Sequence, residues 1–415
     1  MIDGETSASA LNRRGFLQAS TAAAVTIGST ARLNAADDKP PVPATALASG
    51  AIPKRMLGKT GVEVSILNLG TWRSPGLDRL LRFAYANGVR YYDTAKSYGS
   101  EPGIARWFEA MPEVRKEVFL VTKDHPKSPK DLLAGLDERL AALKTDYIDL
   151  LFFHGIGGGN PVDWPKSKEF KETVEAIKKT GKCKFVGFSC HDPKRAEYLM
   201  SAAQGGFVDA IMVQYTPWLD QDHPMQKALD ACHKAGIGLI SMKQVAGQGA
   251  GLSEPDPTTQ VFEKVPILKE RGLTPYQALL HAIWSDERIS TCCVSMRNTA
   301  QITENAIAAK TYQPMKTAEI HQLRDAFLAK GPTFCADCDG RCAKAAGTEA
   351  ALFDLTRFLT YHEHHGYKGE AKKLYGALTE AARNFEGADL LAAKQACPNH
   401  LDFAKLLPKV QELLA

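Results

Sequence analysis

The run Tyr91-Tyr92-Asp93-Thr94-Ala95-Lys96-Ser97-Tyr98-Gly99-Ser100-Glu101 carries a short strand that stops at a carboxylate. The strand begins at Val89, after the turn signal Asn87-Gly88, and a helix starts near Glu101. An acid at a strand's C-terminal end, with a phenol on the following loop, is where a parallel α/β protein places chemistry. The bland alternative is a loop Asp capping backbone amides and a Tyr lying on the surface. The surrounding sequence decides between them.

From Ser65 onward, short apolar strands alternate with helical patterns. The strands read as Ser65–Leu69, Val89–Asp93, Val118–Thr122, Ile148–Phe153, Phe185–Ser189, Ala210–Gln214, Gly238–Met242 and Thr291–Ser295. The helices read as Gly76–Ala86, Pro102–Ala110, Pro129–Leu143, Ser167–Lys179, Pro193–Ala203, Pro224–Ala235, Pro275–Trp284 and Thr299–Ala309. Ser128-Pro129, Asp192-Pro193 and Thr274-Pro275 each set a capping side chain before a proline at the first helical position. None of the strand pairs is joined by a hairpin-length turn. Eight strand–helix units in about 250 residues predict an α/β fold of the closed (β/α)8 TIM-barrel type. An open doubly wound sheet is the competing architecture, and the Gly-rich turn it wants after its first strand is missing. Arg55 to Val64 reads as a small hairpin able to plug the barrel's N-terminal end.

Barrel enzymes carry their reactive groups at the C-terminal ends of the strands. Here those ends are Asp93 with Tyr98 on its loop, Lys123, His154, and Ser189-Cys190-His191. An Asp, a Tyr, a Lys and a His converging on one mouth suit proton donation to a carbonyl oxygen. A phenol is a poor acid at neutral pH, and a neighbouring ammonium lowers its pKa. Lys123 is expected to do this to Tyr98, Asp93 to fix Lys123, and His154 to hydrogen-bond the substrate oxygen and help relay the proton. Each residue alone is more often structural. The four types at successive strand ends make the catalytic reading.

Composition limits the partners. The formal charge is +4 over 415 residues, with Lys and Arg interspersed among acids, so no nucleic-acid footprint is present. After the N-terminus no apolar run approaches the ~18 residues a membrane span needs. The N-terminus itself, Asn12-Arg13-Arg14-Gly15-Phe16-Leu17-Gln18 followed by the apolar stretch Ala19 to Ile27, has the parts of an export signal. Its paired arginines resemble the twin-arginine type, which implies the twin-arginine export machinery as a partner and the periplasm or cell envelope as destination. The expected organisation is a signal at 1–36, a linker at 37–52, a barrel at 53–325 and a helical extension at 330–415.

Nine cysteines, an odd number, preclude complete pairing within one chain. Five in the body read as buried thiols. The tail holds Cys335, Cys338 and Cys342 in a C-x2-C-x3-C run, and Cys397-Pro398 far downstream, with helical patterns at Glu349–Tyr361, Glu370–Asn384 and Ala388–Ala396. Four thiolates suit a [4Fe–4S] cluster, although the spacing departs from the bacterial ferredoxin pattern. A four-cysteine zinc site and disulfides, which export favours, are the competing readings. His362, His364 and His365 read as a solvated patch.

Tyr92-Asp93-Thr94-Ala95-Lys96-Ser97-Tyr98-Gly99, Thr122-Lys123, Asp146 to His154, Gly187-Phe188-Ser189 and Val294 to Asn305 together resemble the aldo/keto reductases. The resemblance runs from about Arg55 to Lys310. It implies interconversion of small-molecule carbonyls and alcohols with NADP(H), or NAD(H), and a catalytic tetrad of Asp93, Tyr98, Lys123 and His154. It places Ser189 at the nicotinamide carboxamide, and Arg297, Gln301, Glu304 and Asn305 at the adenosine end, with Arg297 favouring a 2′-phosphate. The cradle departs from the family pattern. Cys190 stands where Asn is usual, Met212 aligns with the usual strand-six Gln, Gln214 two residues on along the same face is expected to substitute for it at the cofactor, and Met242 replaces a stacking aromatic. A branch of the family carries a C-terminal ferredoxin-like extension that the tail resembles in reduced form. The altered cradle motivates a second reading, a catalytically silent barrel acting as a binding module of the envelope.

Overall fold

The structure, a computed structural model, describes residues 50–415 apart from 73, 75–76, 158, 193, 218, 220, 222, 245–264, 329–339, 364–367 and 398–399. The expected signal, nearly all of the linker, Pro193, Cys335, Cys338, His364 and His365 lie outside the described residues.

A two-stranded antiparallel pair opens the described chain, β1 (Lys54–Met56) with β2 (Glu63–Ser65). Eight parallel strands follow and close on themselves: β3 (Leu67–Gly70), β4 (Tyr91–Asp93), β5 (Phe119–Asp124), β6 (Ile148–Ile156), β7 (Cys183–Cys190), β8 (Ala210–Gln214), β9 (Gly238–Met242) and β10 (Ile289–Ser295). Each pairs with the next in sequence, and β10 closes the ring on β3. This is the expected (β/α)8 barrel. Two strand ends differ from expectation in extent. Lys123 is the fifth of six residues in β5, and β6 runs past His154 to Ile156. Both side chains therefore leave a hydrogen-bonded strand, not a loop, which fixes their direction.

Strand alternation sorts the side chains into two cores. Tyr91, Phe119, Val121, Leu150, Phe152, Ala210, Met212 and Ile240 face inward and pack together inside the barrel. Tyr92, Leu120, Leu151, Phe153, Ile211 and Val213 face outward, into a larger core under the helices. Leu57, from the turn between β1 and β2, is fully buried within the inner core and closes its floor. The close approach needs Gly58. A Cβ there would lie 2.3 Å from the Gly236 carbonyl oxygen, and its φ is +54°. Arg55 holds the same hairpin by donating to the carbonyls of Trp284 (2.5 Å) and Ile289 (2.8 Å).

Helix starts follow the sequence signals. Ser128 with Asp131 and Thr274 with Gln277 form reciprocal capping boxes. The expected Pro129–Leu143 helix is two, Pro129–Ala134 and Leu136–Leu143, joined at Gly135. The C-terminal extension builds its own apolar core from Leu355, Phe358, Leu359, Tyr375, Leu406, Leu407 and Val410, with Cys342 and Cys397 among them. Its helices include Leu352–Glu363, Lys368–Gly376, Leu390–Ala396 and Phe403–Leu414. The last of these falls outside the expected set, and Pro408 inside it interrupts the sequence pattern.

Candidate active site

The inward columns of β4, β5 and β6 end in the tetrad. Two residues above Tyr91 is Asp93, two above Val121 is Lys123, and two above Phe152 is His154. Because Phe119, Val121, Leu150 and Phe152 fill the barrel below, these polar groups form its top layer. Asp93 and Lys123 are 2% and 1% exposed, so neither charge is met by bulk water. They form an ion pair through Oδ1, and Lys123 Nζ also donates to the Thr94 carbonyl at 2.9 Å. Burial works against the Lys123 ammonium. Asp93 and Tyr98 outweigh it and hold its pKa above the ordinary lysine value.

Tyr98 ends a single turn of 3-10 helix, Lys96–Tyr98, and Gly99 follows in the left-handed region at φ 67°. The loop is pinned at both sides. Ser100 Oγ bonds Thr71 Oγ1 at 2.7 Å and Thr94 Oγ1 at 2.5 Å, and Lys96 pairs with Asp124 (3.3 Å) and Glu138 (3.0 Å). Behind it, buried Glu101 accepts from Thr122 Oγ1 at 2.7 Å and pairs with Arg139. The Lys123 ammonium lies 5.1 Å from the centre of the Tyr98 ring. Burial pushes the phenol up to about 12, against the pull of Lys123. The expected lowering by the ammonium is present, but desolvation is larger.

His154 stands edge-on to Tyr98, with ring centres 5.5 Å apart and planes at 85°. On its other side His125 packs at 3.9 Å. Burial, then Lys123, then His125, bring its pKa down to about 2. Held neutral in this way, the His154 imidazole has one ring N–H to donate and can orient an oxygen by hydrogen bonding. Its Nδ1 is buried and makes no hydrogen bond.

Two of the carried-over cofactor residues also reach the top layer. Ser189 Oγ accepts from the Gly155 amide at 2.9 Å and keeps its own proton to donate. Gln214 is 4% exposed, and its Oε1 is buried with no hydrogen-bond partner. An orphaned buried amide oxygen and a serine hydroxyl with a proton to give are the groups that a ligand carboxamide needs. Met212 lies below, in the dry inner core, and Cys190 faces outward into the helix-side core. Neither presents its side chain to the mouth. At the far end Gln301 Oε1 accepts from the Arg297 amide at 2.8 Å, and Glu304 Oε1 from Thr274 Oγ1 at 2.5 Å. Asn305 is 7% exposed on the same helix, Thr299–Lys310, which Asn298 caps.

Several groups at the site were outside the sequence reading. His125 and Cys293 are two. The others are Lys243, Asp354 and Arg357, whose charges act between the extension and the mouth. Lys243, which follows β9 at φ 50°, is the foremost cause of a His191 pKa well below the ordinary value, and Arg357 of the extension adds to it. Asp354, ion-paired with Arg357, feels Lys243 and Asp192 in turn. The first turns of Leu352–Glu363 therefore bear on the barrel mouth. Among the described residues no cluster of His, Cys, Asp and Glu has metal-binding geometry. Nor is any of their helices long and apolar enough to cross a membrane.

The comparisons agree with this geometry. A D-galacturonate reductase from Hypocrea jecorina is 28% identical over 243 residues, covering 53% of this chain and 75% of that protein. An L-glyceraldehyde 3-phosphate reductase from Escherichia coli O157:H7 is 24% identical over 333 residues, covering 66% and 92%. A solved aldo-keto reductase from Bacillus halodurans, in its holo form, superposes with a TM-score of 0.52 at 22% identity over 66% of this chain and 96% of that one, which supports the fold. The model of the aldo/keto reductase family matches residues 67–326, the span from β3 to the helix after the barrel. With a closed eight-stranded barrel whose top layer is Asp93, Lys123, His154 and the Tyr98 loop, the chain belongs to the aldo/keto reductase family.

Proposed function

We propose that this oxidoreductase interconverts a small carbonyl compound and its alcohol with NADP(H), Tyr98 giving or taking the proton at the substrate oxygen. The observation that carries the reading is the neutral Tyr98 phenol set against a dry Lys123–Asp93 pair. In the reducing direction Tyr98 donates its proton as the carbonyl oxygen gains charge. Lys123 then faces the phenolate, and Asp93 keeps Lys123 charged and in place. Neutral His154 donates a hydrogen bond that orients the substrate oxygen. The nicotinamide, when bound, supplies or accepts the hydride. Ser189 and Gln214 would hold its carboxamide, and Arg297 with the Thr299–Lys310 helix start would hold the adenosine phosphate end. Titration with NADPH and NADH, followed by nicotinamide fluorescence, tests this. A folded protein that binds neither ends the reading, and tighter NADPH binding supports the Arg297 assignment.

For the tail we propose a [4Fe–4S] cluster on Cys335, Cys338, Cys342 and Cys397, in a protein exported folded by the twin-arginine route to the periplasm or envelope. Cys342 and Cys397 share the buried core of the extension, although 54 residues separate them in sequence, which supports a common site. Iron and sulfide analysis of anaerobically prepared protein, with its visible spectrum, decides. Stoichiometric zinc in a colourless sample rules the cluster out. Cell fractionation of the full chain against a variant with Arg13 and Arg14 both changed to Lys tests export.

A further inference from the structure

Tyr98 and Lys123 sit on separate segments, the loop after β4 and strand β5, so their contact depends on how those segments are held together. The flanking residues do the holding. Thr122 and Asp124 stand on either side of Lys123 in β5, and Lys96 and Glu101 on either side of Tyr98. Thr122 Oγ1 donates to Glu101 Oε1 at 2.7 Å, and Lys96 Nζ pairs with Asp124 Oδ2 at 3.3 Å. Each neighbour of Lys123 is thus tied to a flank of Tyr98.

Both ties meet at Arg139, from the helix Leu136–Leu143, which is 4% exposed. Its Nη1 donates to Glu101 Oε2 at 2.5 Å, its Nη2 donates to Glu138 Oε1, and its Nε lies 3.8 Å from Asp124 Oδ2. Glu138 Oε2 in turn takes Lys96 at 3.0 Å. Glu101 and Glu138 therefore each give one oxygen to Arg139 and the other to a flanking residue. The break in the expected long helix serves this arrangement, since a Cβ at Gly135 would lie 3.2 Å from Asp124 Oδ2. The Lys96–Glu138 pair is exposed and adds little by itself. The Arg139–Glu101 pair is buried, and a planar guanidinium can meet several carboxylates in one fixed geometry where an ammonium cannot.

We propose that Arg139 is a positioning residue for the proton donor: by holding Glu101, Glu138 and Asp124 together, it fixes the Tyr98 loop against the strand that carries Lys123. It stands on the helix layer and acts through Tyr98. The kinetic consequence rests on the reductase reading, and the effect on the loop does not.

Arg115 supplies the control. It too is a buried arginine paired with a carboxylate, Asp149 at 2.9 Å, but it serves the opposite ends of β5 and β6, donating to the Val118 and Tyr147 carbonyls. Hydrogen exchange followed by mass spectrometry reads the loop. In Arg139→Met the amides of 94–101 are expected to exchange about tenfold faster, with the β7 segment Cys183–Cys190 unchanged. In Arg115→Met the loop is expected to exchange at the wild-type rate. Unchanged loop exchange in Arg139→Met, or equal acceleration in both variants, overturns the proposal. Single-turnover reduction of 4-nitrobenzaldehyde by NADPH reads the donor. Arg139→Met is expected to lower the hydride-transfer rate about 10–100-fold with NADPH affinity unchanged. Arg139→Lys, which keeps the charge without the fork, is expected to recover part of it. A rate unchanged in Arg139→Met, or lost equally in Arg115→Met, makes Arg139 a packing residue and overturns the proposal. Where a Met variant does not fold, the Lys variant at the same position takes its place under the same criteria. Wild-type protein without NADPH binding or turnover sinks the reductase reading and leaves the exchange result standing.

Discussion

The ammonium of Lys123 lies 5.1 Å from the centre of the Tyr98 ring, yet the phenol's pKa stands at about 12. Burial outweighs the cation. The sign of the pH dependence follows. Carbonyl reduction needs the phenol, so its chemical step is expected to be flat from neutral pH to within about two units of that value. Alcohol oxidation needs the phenolate, so it is expected to rise about tenfold per pH unit over the same range. Single-turnover rates in both directions test this. An oxidation rate that levels off near neutral pH would place the proton acceptor elsewhere.

Two substitutions at this contact are expected to differ in kind. Tyr98→Phe removes the acid and keeps the ring that meets His154, so turnover falls by about 10²–10⁴ with little change in stability. Lys123→Met leaves Asp93 charged and buried with its ion partner gone, which costs about 3–5 kcal/mol. Urea unfolding of both variants, with turnover measured alongside, separates the roles. A Tyr98→Phe variant that keeps turnover refutes the assignment.

The positions of the tetrad were legible because a barrel obeys period two. Once a strand is recognised, its last inward residue is known, and Asp93, Lys123 and His154 are those residues. Ser128-Pro129 and Thr274-Pro275 were legible because capping chemistry is local. What stayed hidden depends on closure. Cys293 lies beside Gly70 at the inner face of the barrel only because β10 returns to β3, 225 residues later in the chain. Cys190 read as an altered cradle residue until alternation turned it outward. The rise of the Tyr98 pKa was hidden too, since desolvation depends on what covers a side chain. Nothing local in Leu352–Glu363 says that Asp354 and Arg357 bear on the mouth.

Neutral buried histidines make the fold acid-sensitive. His154 stands at about 2, and His281, bonded to the Ala308 carbonyl at 2.9 Å, at about 4. Both lie below the unfolded value of about 6.5, so below that pH the unfolded chain binds protons that the native state refuses. The stability is present above pH ~6.5 and is lost as pH falls toward the folded values. Each histidine approaches a slope of about 1.4 kcal/mol per unit only well below the unfolded value, so the two together remove about 2 kcal/mol over the first full unit below it. Asp93 and Glu101, whose pKa values are raised chiefly by burial, act in the opposite sense at lower pH. Urea unfolding on either side of this window, at fixed salt, is the measurement. Constant stability there would mean that the histidines are already charged in the native state.

Gln214 separates binding from folding. Its Oε1 is buried without a partner, so the native state carries the cost of an unsatisfied acceptor at this position. Gln214→Leu removes that cost and keeps similar volume, so the cofactor-free protein is expected to be as stable as wild type, or more so by about 1 kcal/mol. If the oxygen is kept for a nicotinamide carboxamide, the same variant loses a hydrogen bond on binding, and NADPH affinity falls by about tenfold. Opposite signs in two measurements, thermal unfolding without cofactor and fluorescence titration with it, are the signature. Ser189→Ala is expected to weaken binding as well. Unlike Gln214→Leu it also strips the Gly155 amide of its acceptor, so it is expected to lower stability in the absence of cofactor. Unchanged NADPH affinity in Gln214→Leu would show that the buried oxygen serves another ligand, and the carboxamide assignment would pass to Ser189 alone.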